Sequence, residues 1–155
     1  MVRSESEEKD RTRDQRYRKT YRITLVTYNK IGDAQGWRCG GCGKHADEFK
    51  VSLNVDHEHF KITLTRNKLG GWDAQTHIRF RNADLYRWGK TQKEARERMK
   101  DIALPLSVRG LLCPGRYKGC NRRMGRLDDP VILRNLAVYL ENPPAKKIVD
   151  TLAVL

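Results

Sequence analysis

Four consecutive residues near the middle of the chain carry side chains suited to hydrolytic chemistry. They are Asp56, His57, Glu58 and His59, and they directly follow Val55. A carboxylate offers the hard oxygen that magnesium prefers, and a neutral imidazole can take a proton from water near pH 7. The same residues also fit a solvated turn of ordinary polar side chains. The cluster alone therefore indicates metal-assisted proton transfer without establishing it.

The four cysteines form two pairs with the spacing of metal ligands. Two residues separate Cys39 from Cys42, six separate Cys113 from Cys120, and seventy lie between the pairs. Two thiolates on one turn and two from a distant loop can complete the tetrahedron of a zinc site. Free buried thiols and a redox-active CxxC pair are the alternatives, which the neighbouring glycines and the lack of a suitable strand and helix disfavour. A site of four cysteines has no open position, so we expect structural zinc.

The second cysteine pair is surrounded by groups that suit a phosphate. Asn121 directly follows Cys120, so a zinc ion that ties this loop beside the Asp56 strand would bring an amide oxygen close to that carboxylate. The stretch 109–126 holds six basic residues and no acidic one, a pattern that also fits a solvated face. We expect these side chains to contact DNA phosphates. They are Arg109, Arg116, Lys118, Arg122, Arg123 and Arg126.

The charge of the whole chain predicts a polyanionic partner. Its 155 residues include 32 lysines and arginines against 19 acidic residues, which gives a net charge of +13. Nucleic acid is the commonest polyanion that such a protein meets. No basic stretch has the apolar face of a membrane-surface helix, and no apolar run suits a signal peptide or a membrane span. We therefore expect a cytoplasmic protein with no membrane partner, whose cysteines remain reduced.

The hydrophobic pattern predicts the elements that must position these side chains. A short helix is expected from Thr24, with Gly36 after its end, and strands are expected over 53–55 and 108–112. A further helix follows Asp129, which can cap it, and ends before two prolines. Apolar residues cover more than one stripe of this last helix. We therefore expect it to be buried on two sides, within this chain or against a second copy.

The organisation predicted is one α+β domain with appended segments. Residues 1–20 carry seven basic and five acidic side chains and few apolar ones, so we expect a mobile arm. The domain spans 21–142 and contains an insertion, 60–107, which we interpret as largely helical because its later part is rich in helix formers. Residues 143–155 are expected to form a helical tail. The three tryptophans are expected to pack against other residues.

Taken in order, five motifs resemble the phage endonuclease VII family, a branch of the HNH, ββα-metal or His-Me finger nucleases. They are AQGWRCGGCG, LNVDHEH, VRGLLC, CNRRMG and DDPVILRNLAVYLE. The resemblance runs from about residue 24 to residue 141, interrupted by the insertion. It implies a small ββα-metal core with structural Zn²⁺ on the four cysteines and flanking helices. It also implies catalytic Mg²⁺, with Mn²⁺ as an alternative, on Asp56 and Asn121, with His57 as general base and His59 as a supporting histidine.

The resemblance further implies a homodimer that nicks four-way junctions and other branched DNA, in the cytoplasm of the host cell if the chain is phage-encoded. Two features depart from the family pattern: Met124 stands where the best-known member has an acidic residue, and the insertion replaces a short connection. The expected function is that of a magnesium-dependent, Holliday-junction resolvase-like endonuclease. An HNH nicking endonuclease acting on ordinary duplex and a non-catalytic zinc module that binds nucleic acid are the alternatives.

Overall fold

The computed structural model describes residues 4–114, 119–123, 130–146 and 148–149 of the chain. The chain divides into two compact units, each made of two segments. Unit 1 comprises Met1–Leu25 and Glu58–Ser107, and unit 2 comprises Val26–His57 and Val108–Leu155. Both units are mixed α+β, with small antiparallel sheets. No helix among the described residues is long and apolar enough to cross a membrane.

Ten helices and strands make up the described fold. In chain order they are α1 (Glu5–Tyr21), α2 (Leu25–Ala34), β1 (Asn54–His57), β2 (Thr63–Arg66), β3 (Trp72–Ile78), β4 (Ala83–Gly89), α3 (Gln92–Ser107), β5 (Val108–Leu112), α4 (Cys120–Arg123) and α5 (Pro130–Glu141). The predictions of α2, β5 and α5 are confirmed. Asp129, the predicted cap of α5, lies outside the described residues.

Unit 2 is organised around the antiparallel pair of β1 and β5. Their register sets Asp56 opposite Gly110 and shifts between Asp56 and His57, which faces Val108. Apolar side chains of both strands are buried together with Tyr28 and Ile31 of α2. Because burial removes apolar surface from water, this packing fixes the strand pair against the helix.

Unit 1 consists of α1, a three-stranded antiparallel sheet in the order β2-β3-β4, and α3. Side chains of β3 alternate between the two faces of the sheet, and those of Ala74 and Ile78 pack in one buried cluster with Ala95, Met99 and Ala103 of α3. One face of the sheet is thus covered by a helix. The insertion predicted over 60–107 falls within this unit, but its interpretation as helical is wrong for the part before α3, because β2, β3 and β4 lie there.

The expected arm at residues 1–20 is replaced by α1 for most of its length. Local polar contacts stabilise this helix, which has few apolar side chains to bury. Ser4 and Glu7 form a reciprocal capping box, and side-chain pairs join Glu5 to Lys9 and Asp14 to Arg18, each at 2.6 Å. Tyr17 is buried on the helix. Capping and i, i+4 pairing thus compensate for low hydrophobicity in this segment.

Candidate metal centre and nuclease site

The four cysteines converge in unit 2. Their sulfur atoms all lie within 4.8 Å of one another, and the Sγ atoms of Cys42 and Cys113 are 3.9 Å apart. Zn–S bonds of about 2.3 Å in a tetrahedron separate the sulfurs by about 3.8 Å, so these positions fit a zinc ion. Cys39, Cys113 and Cys120 are buried, as a closed structural site requires.

Backbone amides around the cluster point at the sulfur atoms. The Cys113 amide donates to Cys39 Sγ at 3.1 Å, and the Cys120 amide donates to Cys113 Sγ at 3.2 Å. Such bonds stabilise negative charge on sulfur and orient the ligands. Gly41 is required here, because a Cβ at that position would lie 2.9 Å from Cys120 Sγ. The local backbone therefore favours thiolates at these positions even without a bound metal.

The pKa values of the thiols diverge within the cluster. Hydrogen bonds from the Cys113 and Cys120 thiols lower the pKa of Cys39. Hydrogen bonding to Cys120 lowers the pKa of Cys113, but its interaction with Cys39 and its burial outweigh this effect and raise the value to about 11. The pKa of Cys120 is raised by hydrogen bonding to Cys113 and Cys39. Thiolates this close repel one another, so a divalent cation is the group that allows all four to ionise.

A buried ion pair joins the two strands of unit 2. Asp56 on β1 is 4 % exposed, and its Oδ1 accepts a hydrogen bond from Nη2 of Arg109 at 3.0 Å. Asp56 Oδ2 lies 2.9 Å from Arg109 Nε, but neither atom has an aligned hydrogen-bond partner within the described part of the chain. Nη2 also reaches the His57 carbonyl oxygen at 3.3 Å. The guanidinium thus fixes both the carboxylate and the adjoining backbone.

Tyr139 of α5 brings a hydroxyl to the same ion pair. Two glycines allow this approach: a Cβ at Gly110 would lie 2.8 Å from the Tyr139 hydroxyl, and one at Gly40 would lie 2.5 Å from its ring. Burial, followed by the charge of Asp56, holds the pKa of Tyr139 well above its usual range. The hydroxyl is therefore a neutral group beside the carboxylate.

The lone pairs of Asp56 suit a divalent cation by donor chemistry, but the Arg109 guanidinium already places a positive charge 2.9 Å from Oδ2. Each carboxylate oxygen has two lone pairs, and Oδ2 accepts no aligned hydrogen bond among the described residues. Magnesium binds such oxygens together with amide oxygens and water. Asn121, on α4, is exposed, and its backbone N–H donates to the Cys113 carbonyl oxygen at an N···O distance of 3.5 Å. This places the residue directly beyond the cysteine cluster.

The two histidines of the sequence cluster fall in different units. His57 is the half-buried last residue of β1 in unit 2, whereas His59 is exposed and belongs to the second segment of unit 1, Glu58–Ser107. Glu58, between them, accepts hydrogen bonds from the amides of Arg79 and Phe80 at 3.0 and 3.1 Å. The glutamate therefore has a structural role within unit 1.

The predicted phosphate contacts fall in two groups. Arg116, Lys118 and Arg126, as well as Met124, lie outside the described residues, whereas Arg122 and Arg123 are part of α4. Arg109 differs from its prediction as a phosphate contact, because its guanidinium faces Asp56 and only 14 % of its side chain is exposed. A buried carboxylate requires a counter-charge, and Arg109 supplies it.

Sequence reasoning missed two side chains that hold this site together. Tyr139 belongs to the apolar surface expected of α5, but its buried hydroxyl lies near Asp56 and has no aligned hydrogen-bond partner among the described residues. Gln35 bonds both backbone groups of Leu111, donating at 3.0 Å and accepting at 2.6 Å, and thereby continues the edge of β5. The glycine of VRGLL was the available signal for Tyr139, since a glycine inside a strand often marks a close approach.

Replacing Cys113 with serine should abolish zinc binding and lower the unfolding temperature, because the metal contributes folding free energy directly. Zinc content by elemental analysis and thermal unfolding would measure both effects. The control is His45→Ala, which removes a side chain that caps the short turn Ala46–Glu48 and should leave the zinc content unchanged. A zinc-free C113S protein with the unfolding temperature of the original chain would contradict the assignment.

Replacing Arg109 with methionine should lower the free energy of unfolding by about 3–5 kcal/mol, because it leaves a buried carboxylate unpaired. Urea titration measures the change. The matched control is Arg22→Met, whose more exposed pairs with Glu97 and Asp101 should contribute less than about 1 kcal/mol. Adding Asp56→Asn to R109M should recover part of the loss. Equal, small effects of R109M and R22M would refute the importance of the ion pair.

The family model of recombination endonuclease VII matches residues 14–142 of the chain. No curated protein and no solved structure matches the chain. The matched stretch includes all four cysteines, Asp56, Arg109 and Tyr139, which are the residues that the geometry of unit 2 brings together. The chain therefore belongs to the recombination endonuclease VII family.

Proposed function

We propose that this chain is a magnesium-dependent endonuclease that hydrolyses phosphodiester bonds of branched DNA. The observation that carries the proposal is the pairing of Asp56 and His57 at the end of β1, one side chain a buried carboxylate and the next a half-buried imidazole. Membership of the recombination endonuclease VII family supports a nuclease. The net charge of +13 supports a DNA substrate.

The order of elements in unit 2 favours an HNH-type site. Two antiparallel strands, β1 and β5, are followed by the short helix α4, and the cysteine cluster links the end of β5 to the start of that helix. Asp56 and His57 lie on the first strand and Asn121 on the helix. This is the sequence of parts expected of a ββα-metal nuclease, with structural zinc as the link.

His57 acts as general base in the proposed reaction. Its imidazole takes a proton from a water molecule, which attacks phosphorus in line with the departing oxygen. Asp56 and Asn121 would hold the cation, and Arg109 keeps the Asp56 carboxylate in place. Magnesium, when bound, stabilises the charge that grows on the phosphate oxygens. His59 remains the proposed supporting histidine.

Basic side chains after β5 would position the DNA backbone. Arg116, Lys118, Arg122, Arg123 and Arg126 remain the proposed phosphate contacts, since they surround the second cysteine pair in the sequence. Arg109 is left out of this set because it is paired with Asp56. Contacts of this kind set the register of the enzyme on DNA without selecting a base sequence.

A homodimer is supported by the apolar surface of α5. Leu136 and Tyr139 are buried, while other apolar residues of the same helix are exposed on the single chain. These exposed residues are Val131, Leu133, Val138 and Leu140. A second copy that covers them would satisfy the two-sided apolar pattern. Two sites in one assembly would cut two strands of a junction.

His57→Ala should bind DNA as the original chain does but lower the nicking rate by about a hundred- to ten-thousand-fold, the usual cost of removing a general base. Relaxation of supercoiled plasmid in Mg²⁺ measures the rate, and gel shift measures binding. His45→Ala, which removes a histidine outside the proposed catalytic set, is the control. If H57A nicked at the original rate, the catalytic assignment would fail. If the original chain bound DNA without nicking it, a non-catalytic zinc module would be the better description.

A four-way junction should be cut at least about tenfold faster than linear duplex of the same sequence, with paired incisions in opposite strands. Denaturing gels of end-labelled strands measure both quantities. Val138→Asp should place a charge on the exposed face of α5, shift the protein to monomers in sedimentation and reduce paired incisions. Equal rates on junction and duplex would favour the alternative of an HNH nicking endonuclease. Paired cutting by a V138D monomer would contradict the role given to the dimer.

A further inference from the structure

The second face of the unit 1 sheet has no covering element among the described residues of that unit. Alternation along β3 directs Ala74, Thr76 and Ile78 towards α3, and Gln75 and His77 to the opposite side, where they are exposed. We call this opposite side the open face. The strand register assigns eight side chains to it: Thr63, Thr65, Asp73, Gln75, His77, Asp84, Tyr86 and Trp88.

Two large aromatic rings stand on the open face. Tyr86 and Trp88 are 60 % and 41 % exposed, although aromatic side chains of this size are usually buried. Trp88 was predicted to pack against other residues, and it packs against Gly71, but part of its ring remains accessible. The register forms two rows across the sheet, Thr63–Gln75–Tyr86 and Thr65–Asp73–Trp88. Polar side chains able to form hydrogen bonds therefore flank each ring.

Trp88 packs closely against the turn between β2 and β3 because Gly71 in that turn has no side chain. A Cβ there would lie 2.2 Å from Trp88 Nε1 and within 3.0 Å of two further ring atoms. The indole thus rests on backbone on one side while much of it stays accessible. A supported ring of this kind can stack on another planar group at little cost in side-chain entropy.

The loops at the ends of the sheet carry positive charge. Residues 61–90 include seven basic and two acidic residues, whereas α3 carries four basic and three acidic ones. Lys61, Lys68, Arg79 and Lys90 are exposed, and no ion pair within the described part of the chain neutralises them. The two acidic residues of the open face each have a neighbour: Asp73 accepts from Asn67 at 3.2 Å, and Asp84 lies 2.9 Å from His77. Exposed basic residues thus lie in the loops at the ends of a sheet that carries two aromatic rings on its open face.

From this arrangement we propose that the open face binds an unpaired strand of DNA, with bases stacked on Tyr86 and Trp88 and phosphates held by the basic loops. The inference rests on the proposed action of the chain on DNA and assigns part of that substrate to unit 1. Aromatic side chains combined with a basic track are what single-stranded nucleic acid recognises. Unpaired bases offer free ring faces, which bases inside a duplex do not.

The spacing of the two rings selects against paired DNA. They are two residues apart on β4 and therefore about 7 Å apart along the strand. Neighbouring bases in a duplex are stacked about 3.4 Å apart. Two bases can occupy both rings only after they have separated from each other, as at a branch point or in a single strand.

A labelled 15-nucleotide oligothymidylate tests the proposal by fluorescence anisotropy with the full chain in the absence of Mg²⁺. Trp88→Ala and Tyr86→Ala should each weaken binding by about tenfold, the typical effect of losing one stacked base. Trp88→Phe, which keeps a ring, should lose much less than W88A. Val51→Ala, which shortens a similarly exposed side chain in unit 2, should bind as the original chain does.

Salt dependence and duplex binding complete the test. Lys68→Ala and Lys90→Ala should each reduce the slope of log affinity against log salt by about 0.7 on the single strand. The W88A variant should bind a blunt duplex of equal length with unchanged affinity. Unchanged oligothymidylate binding by both alanine variants would overturn the proposal, and so would equal losses on single strand and duplex. Plasmid nicking by the original chain and by H57A is measured separately, so a failure of the proposed catalysis is distinguishable from a failure of this surface.

Discussion

Convergence of four sulfur atoms is the constraint on which the site in unit 2 depends. The CxxC turn after α2 and the loop after β5 are about seventy residues apart in the chain, and their thiols lie within 4.8 Å of one another. Backbone amides already point at these sulfurs, so the local structure favours negative charge there. A metal that compensates this charge fixes the end of β5 and the start of α4 together. The positions of Arg109 and Asn121 follow from that connection.

The Asp56–Arg109 pair extends the same constraint to β1. Their side chains join the two strands across the register position at which Gly110 faces Asp56. Glycine at two positions lets Tyr139 approach this pair, and its buried hydroxyl has no aligned hydrogen-bond partner among the described residues. Removing one member of a buried ion pair destabilises the protein, because the other charge is left unpaired. The orientation of the carboxylate therefore depends on both strands rather than on β1 alone.

The sequence predicted the parts of the fold whose signals are local. CxxC spacing, the alternation around Val55, and prolines after Glu141 identified the metal cluster, β1 and the end of α5. The three-stranded sheet was missed because the charges of α3 and its strong helix formers dominated the interpretation of residues 60–107, although Trp72–Ile78 alternates as a strand does. Partners of Asp56 were missed for another reason. Whether Arg109 meets phosphate or carboxylate depends on strand register, which the composition of a basic segment does not encode.

The second segment of unit 1, Glu58–Ser107, is inserted in the chain between β1 and β5. His57 pairs with Val108 at the end of the β1–β5 ladder. Directly beyond this pair, the backbone N–H of Glu58 donates to the Ser107 carbonyl oxygen at 2.9 Å. The 48 residues between Glu58 and Ser107 therefore form a long insertion in a hairpin, and its two ends are as close as those of a tight turn. A chain built this way can gain, lose or exchange this inserted segment in one genetic step without altering the register of β1 and β5.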